Sequence, residues 1–444
     1  MTLSEIGERV RITAHAMTHT TERAAHRRGV APFLPRLFAD RFTHLGGFRA
    51  QEFARQLAGC RSFDDARWAG YWEGFAGEQL ARADTALARL GAPGSAQLLD
   101  PGAAVDLRAL GALLAPAVTI LADRGAVADP DAVQRFCAAQ PDAADAAIAI
   151  DGLIKALVYE FVAAWPGWSP RRLLAYERSH RLGEVLVLAL APAMGLTAEV
   201  VRIPIDGDEV RGILLLPSGS DRVPTVLVTN GLEGTIAEVL LPLLAQRAAR
   251  LGIFVMEMPG TYSYRVRLSD AAERAYSTVI DHLSADARID ADRIGMMGFS
   301  FGGYWSTRMA AVDPRLRVAV SNGPLSHRSF GALNSIGMPE IMISTLNSTL
   351  GTRGTLELTR ELAKLSLAQL YRRIDIPLLV INGARDTLAS TQDSIDIAIG
   401  APNAQLVLYA DDDHCAMGNA EHWSALSATF LRDHLTAPIA VEVA

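Results

Sequence analysis

Three residues far apart in the chain could do nucleophilic chemistry together: Ser300, Asp386 and His414. Ser300 lies in Gly298-Phe299-Ser300-Phe301-Gly302, with a further glycine at Gly303. The apolar residues Ile294, Met296 and Met297 lead into it, and a helix-like stretch from Tyr304 to Ala311 follows. A serine on a tight strand-to-helix turn has its hydroxyl lifted clear of the sheet, and small neighbours let the chain reverse there without clashes. The helix that follows aims its first N–H groups at any negative charge that develops beside the serine. Such a hydroxyl becomes a nucleophile only with a base to take its proton and an acid to hold that base.

Open α/β sheets that use this device order the three residues serine, then aspartate or glutamate, then histidine. Behind the apolar run Pro377 to Ile381 comes Asn382-Gly383-Ala384-Arg385-Asp386, and behind Gln405 to Tyr409 comes Ala410-Asp411-Asp412-Asp413-His414. Asp386 and His414 therefore fall in loops after strands, the edge where such sheets handle ligands. The other candidates are less well placed. Asp393 and Asp396 read as solvent-facing helix positions, His282, His422 and His434 belong to helices, and His327 lies in an insertion. The run Asp411 to Asp413 reads as a charged turn, with one of its members an alternative orienter to Asp386.

Acyl transfer also requires two preorganised N–H donors for the oxyanion. Phe301, directly after the serine, supplies one. The loop Asn230-Gly231-Leu232 after the run Pro224 to Val228 allows a close backbone approach, and the Leu232 N–H is the expected second donor. Glu233 beside it is unusual near an oxyanion: it either braces the loop or holds a substrate hydroxyl. Glu233 and Tyr262 are the expected substrate-binding side chains.

These residues need a sheet to position them, and the period of the sequence supplies one. Residues 1–195 read as an all-helical N-terminal domain, with apolar positions recurring at three and four. The segment Trp68 to Leu90 and the alanine-rich tract Ala138 to Ala149 are examples. From about Thr197 the pattern changes to strands alternating with helices, opened by a hairpin around Asp206-Gly207-Asp208. Residues 196–444 read as a mostly parallel sheet with helices on both faces, an α/β-hydrolase fold. The alternation stops between Asn322 and Leu370, a long insertion expected to act as a lid.

Composition narrows the classes. Half of the 444 residues are hydrophobic and 20% are charged, as in a globular chain. A net charge of −7 offers no basic face for nucleic acid. Three scattered cysteines give neither a disulfide framework nor a zinc site. His15 and His19 lie one helical turn apart without a third ligand, so no metal or cofactor is expected. Met17, Met296 and Met309 read as core. With no signal peptide and no apolar run long enough to span a bilayer, the expected location is the cytoplasm.

A helical N-terminal domain followed by Gly231-Leu232-Glu233-Gly234-Thr235, Met258-Pro259-Gly260-Thr261, Gly298-Phe299-Ser300-Phe301-Gly302-Gly303 and Asp413-His414-Cys415 resembles the FrsA-like esterase superfamily. The likeness is to its branch of yellowish-green pigment polyketide-shortening and 2,6-dihydroxypseudooxynicotine hydrolases. It covers roughly the last 250 residues with specific motifs. It implies a triad of Ser300, Asp386 and His414, cleavage of a carbon–carbon bond next to a ketone, and a helical domain that caps the site and helps form a homodimer. It also implies a further acidic residue, for which Glu233 and Glu340 are candidates. The expected activity is a serine hydrolase of a small aromatic or polyketide-derived ketone or ester. A plain carboxylesterase or thioesterase, and a non-catalytic partner-binding protein on the same fold, are the alternatives.

Overall fold

The computed structural model describes residues 3–437 apart from residues 126, 221, 263 and 332–336. Up to Leu190 the chain is helical, built around Asp65–Arg89, Ala144–Ala164 and Pro170–Leu190, which pack on one another. The first of these starts at Asp64, whose carboxylate accepts from the Arg67 N–H, one of the orphan donors of a helix start. The alanine-rich tract is not one helix. It breaks after Ala139, and Pro141, which lacks an N–H, opens a short turn before Ala144. Trp68, Trp72 and Trp165 are fully buried between these helices.

Among the described residues eight strands form one sheet, β1 (Leu196–Ile205), β2 (Asp208–Pro217), β3 (Val223–Thr229), β4 (Gly252–Met256), β5 (Ile289–Phe299), β6 (Leu316–Asn322), β7 (Leu378–Gly383) and β8 (Ala404–Tyr409). Their spatial order is β1-β2-β4-β3-β5-β6-β7-β8. The β1–β2 hairpin turns at Asp206-Gly207, where Gly207 takes φ +74°. It joins the sheet antiparallel through β2 and β4, and every later pairing is parallel. The inner strands β3, β6 and β7 are buried almost throughout, as a sheet covered on both faces requires. From β3 the chain steps outward to β4 and then back past β3 to β5. The crevice at the carboxyl ends of β3 and β5 is thus a topological switch point.

Between β6 and β7 the insertion carries two helices, Glu340–Leu350 and Thr355–Lys364; its residues 332–336 lie outside the described residues. The first is longer than the apolar piece Ile341 to Leu346 suggests. Pro339 precedes it, Glu340 sits in its first turn, and Gly351 closes it in the left-handed conformation.

Two surface expectations fail. Asp393 is fully buried and does not face solvent: its carboxylate accepts the backbone N–H groups of Ser326, His327, Arg328 and Ser329. It fixes the start of the insertion as a helix cap would. Met17, read as core, is 78% exposed, whereas Met296 and Met309 are buried.

Candidate active site

Ser300 sits where β5 meets the Phe301–Val312 helix, with φ +56° and ψ −120°. A non-glycine residue there is strained, and the surrounding packing must hold it. Its N–H donates to the Asn322 carbonyl at 2.7 Å, tying the turn to the end of β6. A Cβ on Gly298 would lie 1.9 Å from the Gly302 carbonyl oxygen, so only glycine permits so tight a reversal.

His414 follows β8 and is buried. Its Nε2 lies 2.8 Å from Ser300 Oγ and its Nδ1 lies 2.8 Å from Asp386 Oδ2. Asp386, in the loop after β7, accepts from the Leu388 and Ala389 N–H groups at 2.9 and 2.7 Å and from Asn382 Nδ2 at 2.9 Å. Burial opposes its charge, but His414 and these donors outweigh burial and hold the carboxyl below its ordinary range. Burial likewise opposes charge on His414, and the adjoining Asp386 more than reverses this, raising the imidazole well above its usual value. The arrangement favours the imidazolium that forms when the serine loses its proton.

The neighbouring aspartates do other work. Asp413 accepts from the Thr387 N–H and hydroxyl and from the His414 N–H, lacing the two loops together. Asp412 accepts from Gly418 and Asn419, and Asp411 pairs with Arg385 on the surface. Two of the other histidines bond elsewhere, His422 to Tyr409 and His327 to Ser366.

The loop after β3 lies directly over the serine. A Cβ on Gly231 would come within 2.8 Å of Ser300 Cβ, so glycine is what lets the two backbones meet. Leu232 and Glu233 line a cavity of about 160 Å³ that Ser300 and His414 also face. Leu37 and Arg41 of the Phe38–Gly46 region, Met342 of the insertion and Trp423 of the final helix close it. Phe301 is buried at the first helical position beside Ser300.

Glu233 is 7% exposed; its Oε2 accepts from Trp165 Nε1 at 2.7 Å, and its Oε1 has no partner among the described residues. Burial pushes its carboxyl up to about 7, against the pull of Arg41 and Trp165. Tyr262 departs from expectation. It does not line the cavity: its hydroxyl donates to the Glu233 carbonyl at 2.8 Å and its ring stacks on Tyr176, so it steadies the loop. Glu340 is held by His19 in a surface groove with Trp168, apart from Ser300. Nothing local in their segments marks Arg41 or Trp165 as site residues, because their partners lie 192 to 197 and 68 residues further along the chain. Among the described residues no group of histidines, cysteines and carboxylates could hold a metal ion, and no helix is long and apolar enough to cross a membrane.

Comparison with known proteins identifies the family and the fold. The family model described as esterase FrsA-like matches residues 138–410, a span that holds Ser300 and Asp386. The 2,6-dihydropseudooxynicotine hydrolase of Paenarthrobacter nicotinovorans is 27% identical over 240 residues, 51% of this chain and 61% of that protein. Esterase FrsA of Photobacterium profundum is 25% identical over 278 residues, 59% of this chain and 64% of that protein. The chain thus spans a little over three fifths of the length of these relatives. A crystal structure of 2,6-dihydroxy-pseudo-oxynicotine hydrolase superposes with a TM-score of 0.64 at 20% identity, covering 89% of this chain and 95% of that one. AbyA5 gives 0.57 at 20% identity over 84% and 95%. The two superpositions show a shared α/β-hydrolase fold with a helical N-terminal region, and the model match shows that the chain belongs to the FrsA-like esterase family.

Proposed function

We propose that the protein is a serine hydrolase that cleaves a ketone carbon–carbon bond, or an ester, of a small aromatic or polyketide-derived molecule through an acyl-enzyme. One observation carries the reading: the hydrogen-bonded series Ser300–His414–Asp386 opens into a mostly apolar cavity. Ser300 Oγ attacks the carbonyl carbon while His414 Nε2 takes its proton. The N–H groups of Phe301 and Leu232 receive the oxyanion. When the tetrahedral intermediate collapses, the bond to the leaving group breaks and takes its electron pair; His414 returns the proton. Water, activated by the same imidazole, then releases the acid.

A carbon leaving group is far more basic than an alkoxide, so it must depart as an enolate or phenolate-like anion. Glu233, which lines the cavity and whose Oε1 has no partner among the described residues, offers the additional polar contact such a group requires, which favours the ketone over a plain ester. In this reading residues 1–195 cap the site, the 322–370 insertion is its lid, and the protein works as a cytoplasmic homodimer without cofactor. A fluorophosphonate probe should label Ser300 and no other residue. Incubation with a β-diketone, an acyl-phenol and matched esters, with products identified by mass, should show carbon–carbon cleavage. Cleavage of the esters alone would leave a plain esterase, and absence of labelling would remove the hydrolase reading.

A further inference from the structure

The loop Asn230–Gly234 has to present a backbone N–H to an oxyanion, yet its sequence has two glycines and no regular structure. Something must hold it still, because a donor displaced by about 1 Å loses much of its effect. Two of its restraints come from the sheet side: Asn230 Oδ1 accepts from the Met258 N–H at 3.1 Å, and the Tyr262 hydroxyl donates to the Glu233 carbonyl. The rest come from the helical region. Trp165 Nε1 holds the Glu233 side chain. Arg41 reaches in from the Phe38–Gly46 helix: its Nη2 donates to the Glu233 carbonyl at 3.3 Å and to Glu238 Oε2 at 2.7 Å, and its Nε donates to Glu238 Oε1.

We propose that Arg41 is a positioning residue, a fork that fixes the oxyanion loop from the helical region. The inference rests on the serine-hydrolase reading above and adds to it a role for the helical region in rate rather than in enclosure alone. Glu238 lies in the first turn of the Ile236–Leu243 helix, where its own N–H is capped by Thr235 Oγ1. Fixing both Glu238 and the Glu233 carbonyl therefore pins the loop at its end and its middle. The Arg41 and Glu238 side chains are only 14% and 19% exposed, so solvent competes weakly for the pair. The guanidinium also rests over the rings of Phe42 and Phe161, at 5.4 and 5.2 Å, which sets its plane. A lysine keeps the charge but, with one nitrogen, cannot bind both carboxylate oxygens and the carbonyl at once. A Cβ at Gly231 would meet Ser300 Cβ at 2.8 Å, so the loop has little room to shift toward the serine.

The test uses the full chain with Arg41→Lys, Arg41→Ala and Glu238→Gln. It follows the rate at which a fluorophosphonate labels Ser300, and kcat and KM on p-nitrophenyl acetate. Thermal melts identify variants that remain folded; should Arg41→Ala fail to fold, the other two carry the test. Expected is a fall of about 100-fold in labelling rate and kcat with KM shifted less than about threefold, as for loss of an oxyanion donor. Added guanidinium should recover at least about tenfold of the Arg41→Ala loss, since it can refill the vacated fork. Wild-type protein labelled on Ser300 together with folded Arg41 variants labelled equally fast would overturn the inference and leave the hydrolase reading standing. A loss confined to KM would overturn it too, by making Arg41 a substrate contact. Wild-type protein that is not labelled would remove the reading and this inference with it.

Discussion

Trp165 Nε1 donates to Glu233 Oε2 at 2.7 Å, so a tryptophan of the helical region holds one oxygen of a buried carboxyl whose other oxygen has no partner among the described residues. The bond fixes which oxygen is free and leaves the carboxyl in a dry site, where burial pushes it up to about 7. A carboxyl raised in the fold keeps its proton between about 4.5 and 7 while the unfolded chain loses it. Stability is therefore greatest below that window and falls as pH rises through it, by on the order of 3 kcal/mol for this group. Glu257 and Glu160 are also raised by burial to about 7 and add their own slopes. Glu233→Gln should stabilise the protein at pH 8, change little at pH 4, and flatten the dependence by its share. Urea unfolding at both pH values reads this; an unchanged gap between them would show that Glu233 is ionised in the fold throughout.

Ser300→Ala should abolish turnover, with a loss of at least about 10³-fold, while the melting curve stays close to wild type. The hydroxyl contributes one hydrogen bond, to His414, and the backbone bond to Asn322 survives the substitution. Near-normal turnover in the folded variant would move the nucleophile elsewhere.

Asp386→Asn should cripple activity, because the amide cannot hold the imidazole in the tautomer that accepts the serine proton. Asp411→Asn should be mild, since Asp411 only pairs with Arg385 at the surface. Asp413→Ala lies between them: it unlaces Thr387 from His414 and should lower the melting temperature together with the rate. Equal rate losses at Asp386 and Asp411, measured by kcat on one ester, would contradict this ordering.

What the sequence made legible follows from how local each signal is. The elbow declares itself within ten residues, because the apolar strand, the small neighbours and the helix start are all next to Ser300. Asp386 and His414 were readable because strands after a parallel crossover end on the same edge, so a loop position stands for a place in space. The failures share one cause. Asp393 has helical neighbours and the spacing of a surface residue; its partners are backbone groups at 326–329, more than 60 residues earlier, and no periodicity encodes them. Tyr262 follows a turn near the site, yet its hydroxyl is taken by a carbonyl in another loop. Arg41 and Trp165 sit in segments whose only visible pattern is helix packing, although their side chains end at the loop over the serine.

Asp393 gives the last prediction, about stability and the insertion rather than chemistry. Its two oxygens accept four backbone N–H groups at 2.7–3.1 Å in a fully buried position. Removing the carboxylate leaves buried donors with no acceptor, which costs far more than a lost surface bond. Asp393→Ala should destabilise the protein by on the order of 3 kcal/mol or more, and Asp393→Asn by less, since one acceptor oxygen remains. Asp396 pairs with a half-exposed Arg328 guanidinium, so Asp396→Ala should cost about 1 kcal/mol or less. Because the freed groups open the insertion, limited proteolysis of Asp393→Ala should begin near residues 326–331 at a protease dose that leaves wild type intact. A variant that is destabilised but cleaved elsewhere would place the strain in the Thr391–Gly400 helix instead of at the base of the insertion.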